Sequence, residues 1–179
     1  MSSLTTVGSA FPAAGTSSSG RRILVSSVSS DSHTWNLVFL QLLLEEMGHE
    51  VVNLGSCVPD ELLIDECRRH RPDMVVISSV NGHGHLDGRR LIGRLRGEPD
   101  LADLSVVIGG KLGIKGAENG AYGPELMAAG FDAVFEDSAG IAPFRRFLEG
   151  AGTARAVAPH HQVVSGRPLA ARAVAGSAA

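Results

Sequence analysis

Asp31-Ser32-His33 sets a carboxylate two residues ahead of an imidazole, after the apolar run Ile23–Val28 and just before a helix-like stretch. A neutral histidine can bind a metal through one ring nitrogen while an acid holds the N–H of the other, which fixes the tautomer and raises ligand basicity. A solvated polar turn has the same composition, so the meaning of the pair depends on what the chain brings beside it. His83 and His85 lie two apart among glycines without a third nearby ligand, and read as solvent-facing polar groups. His160 and His161 read as solvated. Cys57 and Cys67 match neither a zinc knuckle nor a redox CxxC and read as buried or half-buried thiols. Trp35 reads as a packing residue at the start of the first helix.

The elements that must position these groups are legible as alternating strands and helices. Ile23–Val28, Glu50–Leu54, Met74–Ser79, Ser105–Gly109 and Ala133–Phe135 are short, apolar and rich in β-branched residues. Runs without polar alternation suit strands buried on both faces, so the first, third and fourth are expected to be central. Between them, Thr34–Met47 carries Leu37, Leu40, Leu44 and Met47 at helical spacing and stops at Gly48. Pro59-Asp60-Glu61 opens a second helix that Arg68 to Arg71 and Pro72 close. Leu91, Ile92 and Leu95 mark a third after Asp87, Leu126 and Met127 a fourth before Gly130, and Ile141, Phe144, Phe147 and Leu148 a fifth. Right-handed crossovers then predict an α/β fold: one doubly wound, flavodoxin-like (Rossmann-like) domain with a five-stranded parallel sheet in the order 2-1-3-4-5.

In that architecture ligands bind beyond the carboxyl ends of the strands, where strands 1 and 3 diverge. Three unusual segments follow those strands: Ser29 to Thr34, Ser78 to His85, and Gly109 to Gly116. Residues 1–20 and 151–179 lack the periodicity of a packed element and are expected to be tails around a binding domain at 21–150. A formal net charge of −3 with no dense basic stripe argues against nucleic acid. No apolar stretch approaches a membrane span, and the first twenty residues hold no Lys or Arg, so no membrane association and a cytoplasmic location are expected.

Several chemistries of this topology are poorly served. A phosphoacceptor domain needs an acidic pair after strand 1 and an Asp at the end of strand 3, where Ser78, Ser79 and Val80 stand. A flavin-phosphate loop would draw on Ser29, Ser30, Ser32 and Thr34, but Asp31 would repel the phosphate. Gly82-His83-Gly84 lacks the third glycine of a dinucleotide fingerprint and follows the wrong strand, and Gly109-Gly110-Lys111 is no Walker A loop.

Asp31-x-His33-x-x-Asn36, then 41 residues to Ser78-x-Val80, then 28 residues to Gly109-Gly110, resembles the cobalamin-binding fingerprint DxHxxG…SxL…GG. Over about residues 21 to 150 the chain is similar to the cobalamin-binding domain family, and most to the small (sigma) subunits of glutamate mutase, also called methylaspartate mutase. The resemblance implies adenosylcobalamin held base-off, with His33 as the lower cobalt ligand, Asp31 orienting it, Ser78 bonding the displaced base, and Gly109 and Gly110 leaving room for it. The implied cofactor-binding set is Asp31, Ser32, His33, Thr34, Asn36, Ser78, Val80, Gly82, Gly109 and Gly110. It further implies an isomerase subunit, active only with a large barrel-type catalytic subunit, that serves an amino-acid substrate at the shared interface, with glutamate to 3-methylaspartate as the expected reaction. No catalytic residue is assigned to this chain itself. Corrinoid methyl-transfer modules carry a helical bundle ahead of this domain, and none fits before residue 21. Asn36 stands where the fingerprint has glycine, and Val80 where it has leucine. The alternatives are a non-catalytic cobalamin carrier or sensor, and a flavodoxin-like flavin protein.

Overall fold

The computed structural model of the chain describes residues 20–114 and 121–154. Five strands, β1 (Arg22–Ser26), β2 (Glu50–Asn53), β3 (Met74–Ser79), β4 (Ser105–Gly110) and β5 (Ala133–Glu136), alternate with α1 (Trp35–Glu46), α2 (Asp60–His70), α3 (Gly84–Arg96) and α4 (Tyr122–Ala129). All pairings are parallel and the order is β2-β1-β3-β4-β5. The expected fold is therefore present, and each strand begins within a residue of its sequence-based position.

Side chains of β3 are buried along its whole length, as a central parallel strand requires. Successive residues point to opposite faces. Leu24, Val75, Ile77, Val106 and Ile108 join Leu63, Ile64, Leu91, Ile92, Leu95 and Leu126 of α2, α3 and α4 in one core. The alternate positions, Ile23, Val25, Met74, Val76 and Val107, are equally buried on the other face, together with Leu37, Leu40, Leu43 and Leu44 of α1. Ser78 belongs to this α1-side series, and Gly109 pairs with it in register.

The helix boundaries follow local chemistry. At the end of α1, Gly48 takes a left-handed φ of 84° while His49 N–H reaches back to Leu44 O at 3.0 Å, a glycine-dependent stop. α2 carries Asp60 and Glu61 in its first turn and Arg68, Arg69 and His70 in its last, matching the helix dipole at both ends. The start of α3 differs from expectation. It begins at Gly84 rather than after Asp87, with Asp87 N–H bonded to His83 O at 3.1 Å, and Gly84 packs so near Ser79 that a Cβ would stand 2.9 Å from the serine Cβ.

From Phe144 the chain forms a second compact unit built on α5 (Ala142–Ala154), with Phe144 and Leu148 buried one turn apart. The helix continues to Ala154, past the expected boundary at residue 150. All but the last residue of the expected tail at 1–20, the remainder of the C-terminal tail with His160 and His161, and Gly116 lie outside the described residues. Among the described residues no helix is long and apolar enough to cross a membrane.

Two surface readings need correction. Trp35 is 64% exposed, with Val38, Phe39 and Leu42 also exposed, so it is not a packing residue within this fold. Leu37, Leu40 and Leu44 are buried as their spacing predicts, but the opposite side of α1 is also largely apolar, so the sequence did not mark Trp35 as outward-facing. Cys57 is exposed rather than half-buried, whereas Cys67 is fully buried.

Candidate cofactor site

The β1–α1 and β3–α3 loops converge on one carboxylate. Asp31 is completely buried, and its two oxygens divide the work. Oδ1 accepts the backbone N–H of His33 at 3.0 Å and lies 2.7 Å from the ring Nδ1 of the same residue. Oδ2 accepts from Val80 N–H at 2.6 Å, Asn81 N–H at 3.3 Å and the Ser79 hydroxyl at 3.2 Å. Burial by itself would push this carboxyl up. The hydrogen bonds from the Val80 and His33 N–H groups, the His33 ring and Ser79 outweigh it and hold the pKa below the ordinary carboxylate value.

An ionised carboxylate offers lone pairs alone, so Nδ1 must carry the His33 proton and Nε2 keeps a free lone pair. The imidazole side chain is 48% exposed, which makes Nε2 a preoriented, accessible donor. This is the arrangement a metal-ligating histidine requires.

The loop is braced from outside. Cys57 adopts a left-handed φ of 55°, unusual for a residue with a side chain, and its N–H donates to Asp31 O at 2.8 Å and Ser27 Oγ at 3.1 Å. From α3, Arg90 donates to both oxygens of buried Asp60, at 2.8 and 3.2 Å, and to Ser29 Oγ at 2.8 Å. Ser30 donates to Asp87 of the same helix, and Asn81 Nδ2 donates to Ser30 O at 3.0 Å.

On the α1 side, Asn36 Nδ2 donates to Ser78 Oγ at 2.8 Å, joining the first and second parts of the fingerprint. Asn36 Oδ1 is buried and accepts no hydrogen bond. The glycines of the third part are demanded by neighbouring backbone. A Cβ on Gly109 would stand 2.8 Å from Phe135 O, and one on Gly110, whose φ is 102°, would stand 2.2 Å from Ser79 O. That is a different reason from the room for a base that the resemblance implied.

The structure thus brings Asp31, His33, Asn36, Ser78 and the Val80 backbone together. Ser32 and Thr34 are exposed, and Thr34 occupies the N-cap position of α1 without a side-chain cap bond. Gly82 turns the β3–α3 loop with a φ of 83°, and a Cβ there would meet Ile114 Cγ2 at 2.3 Å. His85 is buried rather than solvent-facing; it stacks on Tyr122 at 4.1 Å, with Nε2 2.8 Å from Glu125 Oε2. His83 is exposed as expected, and no cluster of three or more metal-capable side chains exists among the described residues. Sequence reasoning missed Ser79, Asn81, Cys57 and Arg90. Ser78, Ser79 and Asn81, polar residues around Val80 at the end of an apolar strand, were a readable signal for the first two, but nothing in the sequence pointed to Cys57 or Arg90 as supports.

Residues 21–137 match the B12 binding domain family, and the chain belongs to that family. It is similar to the glutamate mutase sigma subunit of Fusobacterium nucleatum, with 28% identity over 116 residues that cover 65% of this chain and 85% of the relative. Among solved structures, it is similar to a cobalamin-binding protein from Desulfitobacterium hafniense, with a TM-score of 0.55 and 25% identity, covering 72% of this chain and 59% of that one. A response regulator from Chloroflexus aurantiacus shares the fold alone, with a TM-score of 0.55 and 16% identity, covering 75% of this chain and 98% of that one. The chain is therefore a cobalamin-binding domain. Its residues fit the group: one accessible ring nitrogen with its tautomer set, and one unpartnered buried amide oxygen beside Ser78.

Proposed function

We propose that this chain is the cobalamin-carrying subunit of an adenosylcobalamin-dependent carbon-skeleton mutase, most like one that converts glutamate to 3-methylaspartate. The reading is supported by the 2.7 Å contact between Asp31 Oδ1 and His33 Nδ1, which leaves Nε2 free, so that it would ligate the cobalt of a bound cobalamin. Bound adenosylcobalamin supplies the radical chemistry. His33 holds the metal, Asp31 orients His33, and the N–H groups of Val80 and Asn81 fix Asp31. Ser78 would hydrogen-bond the displaced nucleotide base.

A larger, barrel-type catalytic subunit completes the site and holds the amino-acid substrate. The similarity to sigma subunits supports a partner, and so does the exposed stripe of Trp35, Val38, Phe39 and Leu42, which begins two residues after His33. The assembly is cytoplasmic in this reading.

Loading the chain with cob(II)alamin and recording electron paramagnetic resonance tests the ligand. Labelling with ¹⁵N-histidine should change the hyperfine splitting on cobalt, and His33→Ala should abolish it. Adding a glutamate mutase large subunit should then give isomerase activity. A carrier or sensor role without isomerase duty is the second reading, favoured by the Asn36 side chain that fills the glycine position of the fingerprint. Histidine ligation with no activity beside any tested partner would select it.

A further inference from the structure

Among the described residues, a single buried side-chain polar atom has no hydrogen-bond partner, and it is Asn36 Oδ1. Asn36 is 5% exposed and sits one residue into α1, facing the sheet. Its amide N–H is engaged with Ser78 Oγ at 2.8 Å. Ser78 is itself buried, and as the acceptor in that bond it keeps its own hydroxyl proton to donate elsewhere. The pair therefore offers one acceptor, Asn36 Oδ1, beside one donor, the Ser78 hydroxyl. A buried acceptor left unpaired is costly, and a bound group that brings an N–H to it gains that cost back as affinity.

The complement of this pair is an aromatic edge with a ring nitrogen next to an exocyclic amine. An aminopurine such as adenine has that edge. A benzimidazole attached through one nitrogen has a ring acceptor for Ser78 but no N–H for Asn36. Glycine at this position would be indifferent to the difference.

We propose that Asn36 and Ser78 together read the lower base of the bound corrinoid, and that the site prefers a cobamide with an amino-bearing purine base to one with a benzimidazole base. The proposal rests on the base-off reading given above, in which the displaced base lies beside Ser78. Asn36 is a specificity residue in this account, selecting the cofactor variant and taking no part in bond breaking.

The test is equilibrium dialysis of the full chain against three probes, with bound corrinoid read by visible absorbance: adeninylcobamide, cobalamin with its dimethylbenzimidazole base, and cobinamide, which has no base. The wild type should bind the adeninyl form about 10-fold more tightly than cobalamin, the size of effect one satisfied buried hydrogen bond gives. Asn36→Gly should reduce that ratio to within about 2-fold, and Asn36→Ala, which keeps helix propensity, should do the same. Equal binding of the two bases by the wild type would show the amide turning freely to suit either, and would overturn the proposal. So would a preference that survives both Asn36 variants. If neither base-bearing form binds better than cobinamide, the base-off reading itself falls and takes this inference with it.

Discussion

A single carboxylate oxygen, Oδ1 of Asp31, accepts both the backbone N–H of His33 at 3.0 Å and the ring Nδ1 of His33 at 2.7 Å. This two-point hold fixes the direction of the imidazole as well as its tautomer, without help from the exposed Ser32 between them.

Asp31→Asn should separate these roles. The amide fits the volume, but one of its ends must then point an N–H group at donors. Corrinoid affinity is expected to fall about 10–100-fold, and folding stability by about 1–3 kcal/mol. Absorbance titration and urea unfolding measure the two losses independently.

The depressed Asp31 pKa has a defined acid limb. A carboxyl held below its unfolded value contributes stability that is fully present above the unfolded pKa and is lost as pH falls through the folded one. The Asp31 contribution should therefore be constant from neutral pH to about pH 4 and decline below it. Urea midpoints measured at intervals from pH 7 to pH 3 should show this limb in the wild type and a flatter one in Asp31→Asn.

Gly110→Ala should cost about 2–4 kcal/mol. Its Cβ would collide with Ser79 O at 2.2 Å while the backbone keeps a left-handed φ of 102°. Gly109→Ala, whose Cβ would stand 2.8 Å from Phe135 O on a backbone outside the left-handed region, should cost less. A larger fall in urea midpoint for Gly109→Ala would contradict the ranking.

The two cysteines should differ sharply toward a thiol reagent. Burial, with Glu66 adding to it, pushes the Cys67 thiol up to about 12, so almost no thiolate exists near pH 8. Cys57 is exposed. Mass spectrometry after iodoacetamide treatment should find one label on the folded chain, at Cys57, and two after denaturation.

Phe39→Glu tests the α1 stripe as the surface met by a catalytic subunit. Phe39 is exposed and is not among the residues placed around the cofactor, so corrinoid uptake should be unchanged. The dissociation constant of the complex should rise at least about 10-fold, as read by analytical ultracentrifugation.

The sheet was legible because a parallel strand buried on both faces must be written in a few apolar residues, and Met74–Ser79 or Ser105–Gly110 admit little else. Asp31, His33 and Ser78 were legible through type and spacing. The start of α3 was not, since Gly84 reads locally as a helix breaker, and its need for a missing Cβ shows only once Ser79 and Leu112 are packed against it. Nor was His85, whose burial depends on Tyr122 and Glu125, two groups on another helix. The exposure of Trp35 was hidden because the outward side of α1 also carries Val38, Phe39 and Leu42, and the lone acceptor of Asn36 became visible with Ser78 in place beside it.

Cys57 grips the Asp31 backbone from the β2 side, Arg90 holds Ser29 from α3, and Asn81 holds Ser30 from the end of β3. A segment clamped from three directions has little freedom left to surrender when a corrin ring arrives. Calorimetry of uptake should then register the heat-capacity change of covering apolar surface, without the added contribution of a coil becoming ordered.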